Sequence, residues 1–235
     1  FNSINARMSP PRVIADAHCH VTLPAEPSLL KESFHSCPSR RYAVMSTSHL
    51  DIALTMLLAK NHPHTVVPFI GVHPWYSHLY STETTTKDAH YRLVLYPEPS
   101  ESLLAVLPDP IPIETHAAAL KEIVVQLRAS GTLVGIGEIG LDKPFRVPNS
   151  GYFGAPTTVG SSGPQLSSCR VSMEHQEKII RAMLALAQKF DLPVLLHCVK
   201  AHGKLLDIVR QFSLNRVVLH SFSGSPDVVG QWNRA

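Results

Sequence analysis

The segment Asp16-Ala17-His18-Cys19-His20 sets two imidazoles at positions i and i+2 directly behind the apolar run Val13-Ile14-Ala15. Alternate residues of an extended strand project to one face, so His18 and His20 can reach a single metal ion at the strand's carboxyl end. Three further apolar runs end in the same way: residues 133–137 lead to Glu138, 193–196 to His197 and 216–219 to His220. Neutral imidazole binds a divalent ion through a ring nitrogen, and a carboxylate has two oxygens with which to bridge two ions. His18, His20, Glu138, His197 and His220 therefore read as a two-metal site for Zn, Mg or Mn. Such a pair stabilises the attacking and leaving oxygens of a phosphoryl displacement and lowers the pKa of a water, which is the chemistry of hydrolysis.

Ligands at the ends of separate strands need a scaffold that gathers those ends. The apolar runs at 13–15, 42–45, 65–72, 133–138, 193–197 and 216–219 alternate with helical patterns, as in a parallel α/β protein. Ser48 with Asp51 reads as a helix start, opening a helix through Ile52, Met56 and Leu57. Leu120, Ile123, Val124 and Leu127 share one helical face, and the 174–190 helix carries Ile179, Ile180, Met183, Leu184, Ala187 and Phe190 as its apolar stripe. The 76–112 stretch has no sustained period and reads as a long connection with one short helix. The 143–170 stretch is rich in Gly, Ser and Pro and reads as a surface insertion, with a lid over the site as the alternative. The fold that brings strand ends together around one point is the TIM-type (β/α)8 barrel. A doubly wound open sheet usually carries a glycine-rich phosphate turn, and no GxGxxG or GxxxxGK[ST] occurs here.

The chain is similar to the TatD-like metal-dependent hydrolases, a branch of the amidohydrolase-type barrels. The resemblance rests on Asp16-Ala17-His18-Cys19-His20, Gly71-Val72-His73-Pro74, Gly137-Glu138-Ile139-Gly140-Leu141-Asp142, His175-Gln176, Leu196-His197-Cys198 and His220-Ser221-Phe222-Ser223-Gly224, in family order over nearly the whole chain. It implies a (β/α)8 barrel, divalent metals and activity on phosphodiester bonds, typically as a DNA nuclease. On that pattern His18, His20 and Glu138 hold the first ion, and Glu138, His197 and His220 the second. His73 lies near the scissile phosphate, with Glu138 and His73 as the catalytic pair, and Asp142 supports the Glu138 loop.

Two positions depart from the family. A basic residue usually stands two places after the strand-five histidine, where this chain has Val199, and Lys200 or His202 is left to hold phosphate. The family also supplies a late aspartate to the first metal site, whereas this sequence ends at Ala235. The expectation is one hydrolase domain over 1–235 whose barrel stops after the sixth β/α unit.

Composition narrows the alternatives. At 44% hydrophobic and 17% charged over 235 residues the chain has enough apolar side chains for a sizeable core. A formal charge of +3 is too mild to signal a dedicated nucleic-acid binder. Cys19, Cys37, Cys169 and Cys198 show no paired spacing, so reduced thiols are expected. No apolar run approaches the ~20 residues of a membrane span and no signal peptide is evident, so the reading is a cytoplasmic or nuclear protein with no membrane partner. Of the fourteen histidines, His62, His64, His78 and His90 lie in polar connections and are expected to be solvated. The substrate expected is DNA or another phosphodiester. The competing readings are a C–N or ester hydrolase with the same ligands, and a non-catalytic interaction protein.

Overall fold

The computed structural model describes residues 14–22, 40–155 and 165–234. Six parallel strands form one sheet in sequence order: β1 (Ile14–Cys19), β2 (Arg40–Met45), β3 (Val66–Ile70), β4 (Gly135–Asp142), β5 (Val194–Val199) and β6 (Val217–Leu219). Every residue of β4 is buried, as expected of a parallel strand covered on both faces. The sheet is strongly curled. Flat strands spaced ~4.8 Å apart would put the first and sixth about 24 Å from each other, yet the ring of His18 in β1 stacks on that of His220, just after β6, at 3.9 Å. The architecture is a partial TIM barrel with helices packed around it.

Those helices are α1 (Ile52–Asn61), α2 (Lys87–Val94), α3 (Glu101–Val106), α4 (Ile113–Ala129), α5 (Met173–Phe190), α6 (His202–Val209) and α7 (Pro226–Trp232). The α5 helix is the main support of β4. Its Ser172 cap accepts from the His175 amide, and Ile179, Ile180, Met183, Leu184 and Ala187 are buried as the apolar stripe requires. Each of the larger side chains contributes about 1.5–3 kcal/mol through burial. Among the described residues no helix is long and apolar enough to cross a membrane. Cys19, Cys169 and Cys198 are free thiols, and Cys37 lies outside the described residues.

Three local expectations are corrected. The α1 helix starts at Ile52, one turn later than expected, and the Ser48–Asp51 pair closes the turn before it: the Asp51 carboxylate accepts the Thr47 and Ser48 amides at 2.9 and 3.2 Å, and the Ser48 hydroxyl accepts the Leu50 amide at 3.3 Å. The 76–112 stretch is a packed layer. It holds a 3-10 helix (Pro74–Leu79), α2, α3 and two short strand pairings, with Tyr76, Leu79, Tyr80, Tyr91, Leu103 and Leu104 buried. Its elements are too short to show a period in sequence, and its tyrosines satisfy their hydroxyls across the layer: Tyr76 donates to the Phe153 carbonyl, Tyr91 to that of Pro108. The segment from 143 to 155 packs against this layer through buried Phe145 and Val147, while 156–164 lie outside the described residues.

The third correction concerns His78 and His90, which are buried rather than solvated. With His175 they form a ladder in which each Nε2–H donates to a carbonyl: His78 to Gly151 at 2.9 Å, His90 to His78 at 2.9 Å, His175 to Ser77 at 3.0 Å. Burial pushes the pKa of His78 and of His175 down to about 4 from the ordinary 6.5. Between those values the unfolded chain binds protons that the folded chain refuses, so stability falls as pH falls. For His78 the loss reaches roughly 3 kcal/mol. The urea-unfolding midpoint is expected to drop steeply from pH 7 to pH 4.5, and to drop less in His78→Gln; a wild-type midpoint constant over that range would contradict the ladder.

Candidate metal centre

Glu138 is the hub, 1% exposed, at the fourth residue of β4 rather than at its end. The β4–β5 register shifts between Ile136 and Ile139, and the β1–β2 register shifts between Asp16 and Cys19. Both irregularities bracket residues of the site, and an irregularity of this kind re-aims a side chain without ending the strand. Oε2 of Glu138 lies 2.8 Å from His18 Nε2 and 2.7 Å from His20 Nε2. Oε1 lies 2.9 Å from His197 Nδ1 and 2.6 Å from His220 Nε2, with His73 Nε2 further off at 3.7 Å. The period-two expectation for His18 and His20 is met in the simplest way: both rings reach the same oxygen.

Electrostatics follow from that crowding. Burial pushes the Glu138 carboxyl up, but hydrogen bonds from His18, His197, His20 and His220 outweigh it and hold the group well below the usual carboxylate range. His197 is pressed down by burial and lifted to about 9 by its bonds to Asp142 and Glu138. His73, 3% exposed, is held well below its ordinary value by burial, then by the neighbouring His197. The donor set of imidazoles around one bridging carboxylate suits borderline divalent ions. Two groups, His18–Glu138–His220 and His73–Glu138–His197, each have ligand atoms within 4.8 Å of one another. Among the described residues the buried Nδ1 of His20 has no hydrogen-bond partner, and Nε2 on the Glu138 carboxylate is what holds the ring. The residues fit the binding of divalent metal.

His18, His20, His73, Glu138, His197 and His220 line one pocket of about 310 Å3 together with Thr47 and Trp75. Lys200 is not in that lining; it is exposed, one residue past β5, with φ +54°. Sequence reasoning missed Thr47 and Trp75. Thr47 is fastened by the Asp51 carboxylate, and its carbonyl accepts the His73 amide at 2.8 Å. The Trp75 indole is the pocket's aromatic wall, backed by Phe145 at 5.6 Å and Phe153 at 5.3 Å.

Asp142 proves to brace His197 rather than the Glu138 loop. Its Oδ2 accepts from Trp75 Nε1 at 2.8 Å and lies 3.1 Å from His197 Nε2, while Oδ1 accepts the Phe145 amide at 3.0 Å. Gln176 clamps the Asp142 backbone on both sides, accepting its N–H and donating to its carbonyl. Ser221, with φ +48°, turns its hydroxyl back to 2.8 Å from His220 Nδ1. The spacing of four between Glu138 and Asp142 in an extended strand was the one sequence sign of this bracing.

Residues 15–234 match the family described as TatD related DNase. A Saccharomyces cerevisiae protein named as an uncharacterized deoxyribonuclease is 34% identical over 93% of this chain and 69% of its own length. The Cut9-interacting protein scn1 of Schizosaccharomyces pombe is 37% identical over 85% of this chain, which spans 59% of that relative. In structure, the YjjV TatD homologue of Escherichia coli superposes with a TM-score of 0.55 at 23% identity, over 94% of this chain and 64% of its own, which speaks to the fold. The partial barrel that gathers the hub carboxylate and its imidazoles is thus the fold of a known lineage: the chain belongs to the TatD related DNase family.

Proposed function

We propose that the protein is a divalent-metal-dependent hydrolase of phosphodiester bonds, acting as a deoxyribonuclease. The observation that carries this reading is Glu138, a buried carboxylate whose two oxygens are approached by different pairs of imidazoles. Two ions, of Zn, Mg or Mn, would be held by His18, His20 and Glu138 on one side and by Glu138, His197 and His220 on the other. Bound there, such ions supply Lewis acidity that activates water and neutralises charge on a phosphoryl group.

The protein's own residues do the rest. Asp142 and Ser221 orient the rings of His197 and His220, and rigid rings keep the ligand atoms where an ion needs them. Trp75, held by its stack on Phe145, places an apolar face beside His197 in the pocket. Glu138 and His73 stand closest to where a substrate phosphate would sit, and Lys200 at the rim of β5 would meet a flanking phosphate.

The test is DNA degradation by the ion-free protein after addition of Mg2+, Mn2+ or Zn2+, with a chelator as control. Hydrolysis that appears with an ion and disappears with the chelator is expected. A protein that binds ions yet degrades no DNA contradicts the nuclease reading. Hydrolysis of an activated ester but not of a phosphodiester would then indicate the carbonyl-directed alternative. A relative named for its interaction with Cut9 favours an interaction role as the second reading, and inertness towards both substrates would support it.

A further inference from the structure

Two of the imidazoles that meet Glu138 are braced from behind: Asp142 lies 3.1 Å from His197 Nε2, and the Ser221 hydroxyl 2.8 Å from His220 Nδ1. His20 has no such brace. Among the described residues its Nδ1 is without a hydrogen-bond partner, and both β1 and its pairing with β2 end one residue before it, at Cys19. We infer that Asp51 takes the place of that brace: it is a positioning residue that holds His20 through the main chain, by way of Thr22. The inference rests on the metal-centre reading for what His20 is held towards, and on buried hydrogen bonds for how it is held.

Asp51 stands just before α1, 3% exposed, and its carboxylate gathers two separate stretches of chain. From the end of β2, the Thr47 and Ser48 amides donate to Oδ1 at 2.9 and 3.2 Å, and the Thr47 hydroxyl donates to Oδ2 at 3.2 Å. From the turn after β1, the Thr22 hydroxyl donates to Oδ2, also at 3.2 Å. Burial pushes the Asp51 carboxyl up, and the bonds from Thr47, Ser48 and Thr22 oppose it. Thr22 is itself buried, and its oxygen lies 3.4 Å from that of Thr55, a fully buried residue of α1.

Thr22 is two residues from His20, a span of at most ~7 Å of chain, so slack at Thr22 is passed on to His20. The intervening Val21, with Cys19, packs against the apolar cluster of Val44, Leu58, Ala59 and Val66. Such packing is non-directional, whereas a hydrogen bond fixes where the chain points. His20 needs that direction, because Nε2 must stand 2.7 Å from Glu138 Oε2 with nothing behind the ring to keep it there. The other arm of the same carboxylate fastens Thr47, which lines the pocket. One buried acid thus sets the β1 side of the site against the β2 side.

The experiment compares the whole protein with Thr22→Val, Thr22→Ser, Asp51→Asn and Ser48→Ala by Zn2+ titration calorimetry, with thermal melts to compare stability. Val keeps the volume of Thr without the hydroxyl, and Ser keeps the hydroxyl. Ser48→Ala loosens the same turn, where the Ser48 hydroxyl accepts the Leu50 amide, without touching the Thr22–Asp51 bond. Thr22→Val is expected to weaken one ion equivalent by about 10–100-fold and leave the other unchanged, as loss of an orienting partner does. Thr22→Ser is expected to recover that affinity, and Ser48→Ala to bind as wild type. The double variant Asp51→Asn/Thr22→Val is expected to bind no more weakly than Asp51→Asn alone, since both changes remove one bond. In the ion-free protein, amide 15N relaxation is expected to show the His20 order parameter falling in Thr22→Val from the ~0.85 of rigid backbone towards ~0.6, with His197 unchanged. An unchanged order parameter with wild-type affinity in Thr22→Val overturns the inference, and so do additive losses in the double variant or equal weakening in Ser48→Ala. Thr22→Ala, which removes the hydroxyl without adding a methyl, takes the same readings should the valine variant not fold. If wild type takes up no ion, the metal-centre reading fails, while the relaxation data still decide whether the Thr22–Asp51 bond holds His20.

Discussion

Glu138→Gln is expected to remove metal binding at both sides of the pocket and to lower phosphodiester hydrolysis by about 10³-fold or more, the upper end of what one electrostatic group contributes. The magnitude follows from its shared position. His18 and His20 meet one of its oxygens and His197 and His220 the other, so no ion could lie between either pair without it. Gln keeps the shape but exchanges one acceptor oxygen for an NH2, which turns one pair of imidazoles from partners into competitors. The fold should survive, because the amide still bonds to rings that can choose their tautomer. Losing a buried charge outright costs about 3–5 kcal/mol, and a same-shape amide costs less. Zn2+ calorimetry with the ion-free variant, beside its thermal melt, reads both effects. A variant that melts like wild type and still takes up ions with wild-type affinity would remove Glu138 from the centre of the site.

How much of this was readable from residue types depends on the range of the interaction involved. The six strands are close to where the apolar runs put them, since a parallel strand buried on both faces leaves a continuous apolar signature: residues 193–197 were expected, and Val194–Val199 is found. The convergence of His18, His20, Glu138, His197 and His220 on one pocket was also readable from strand order and strand ends, whereas His73 entered only through the family resemblance. The curl that stacks His18 on His220 was not, nor was the position of Glu138 inside β4, which hangs on a register shift. Trp75 and Asp142 meet across 67 positions, and no local pattern announces such a bond. His78 and His90 were misjudged for the same reason. Their neighbours in sequence are polar, and their burial comes from Gly151 and from His175 on α5.

Gly140→Ala should be nearly as damaging, although Gly140 offers no chemistry. A Cβ on Gly140 would stand 1.9 Å from the His197 carbonyl oxygen and under 3 Å from its carbonyl carbon and amide nitrogen. All three are backbone atoms of β5, where Gly140 pairs with His197, so no flexible side chain can move aside. The strands must part at the point where Glu138 and His197 are set 2.9 Å from each other. Overpacking a core typically costs 1–3 kcal/mol, and a backbone clash belongs at or above the top of that range, about 3 kcal/mol. In a protein of this size that lowers Tm by about 6–12 °C. Ion affinity should fall with it, since a displacement of even ~1 Å takes Nδ1 of His197 out of reach. Gly203→Ala is the matched control. In α6 its Cβ would meet nothing within 4 Å, and an alanine there should stabilise by up to ~1 kcal/mol. If the two variants melt at the same temperature and bind Zn2+ equally, the close approach of β4 to β5 is not what holds Glu138 and His197 together. If they diverge, Gly140 is as necessary to the site as the carboxylate two positions before it.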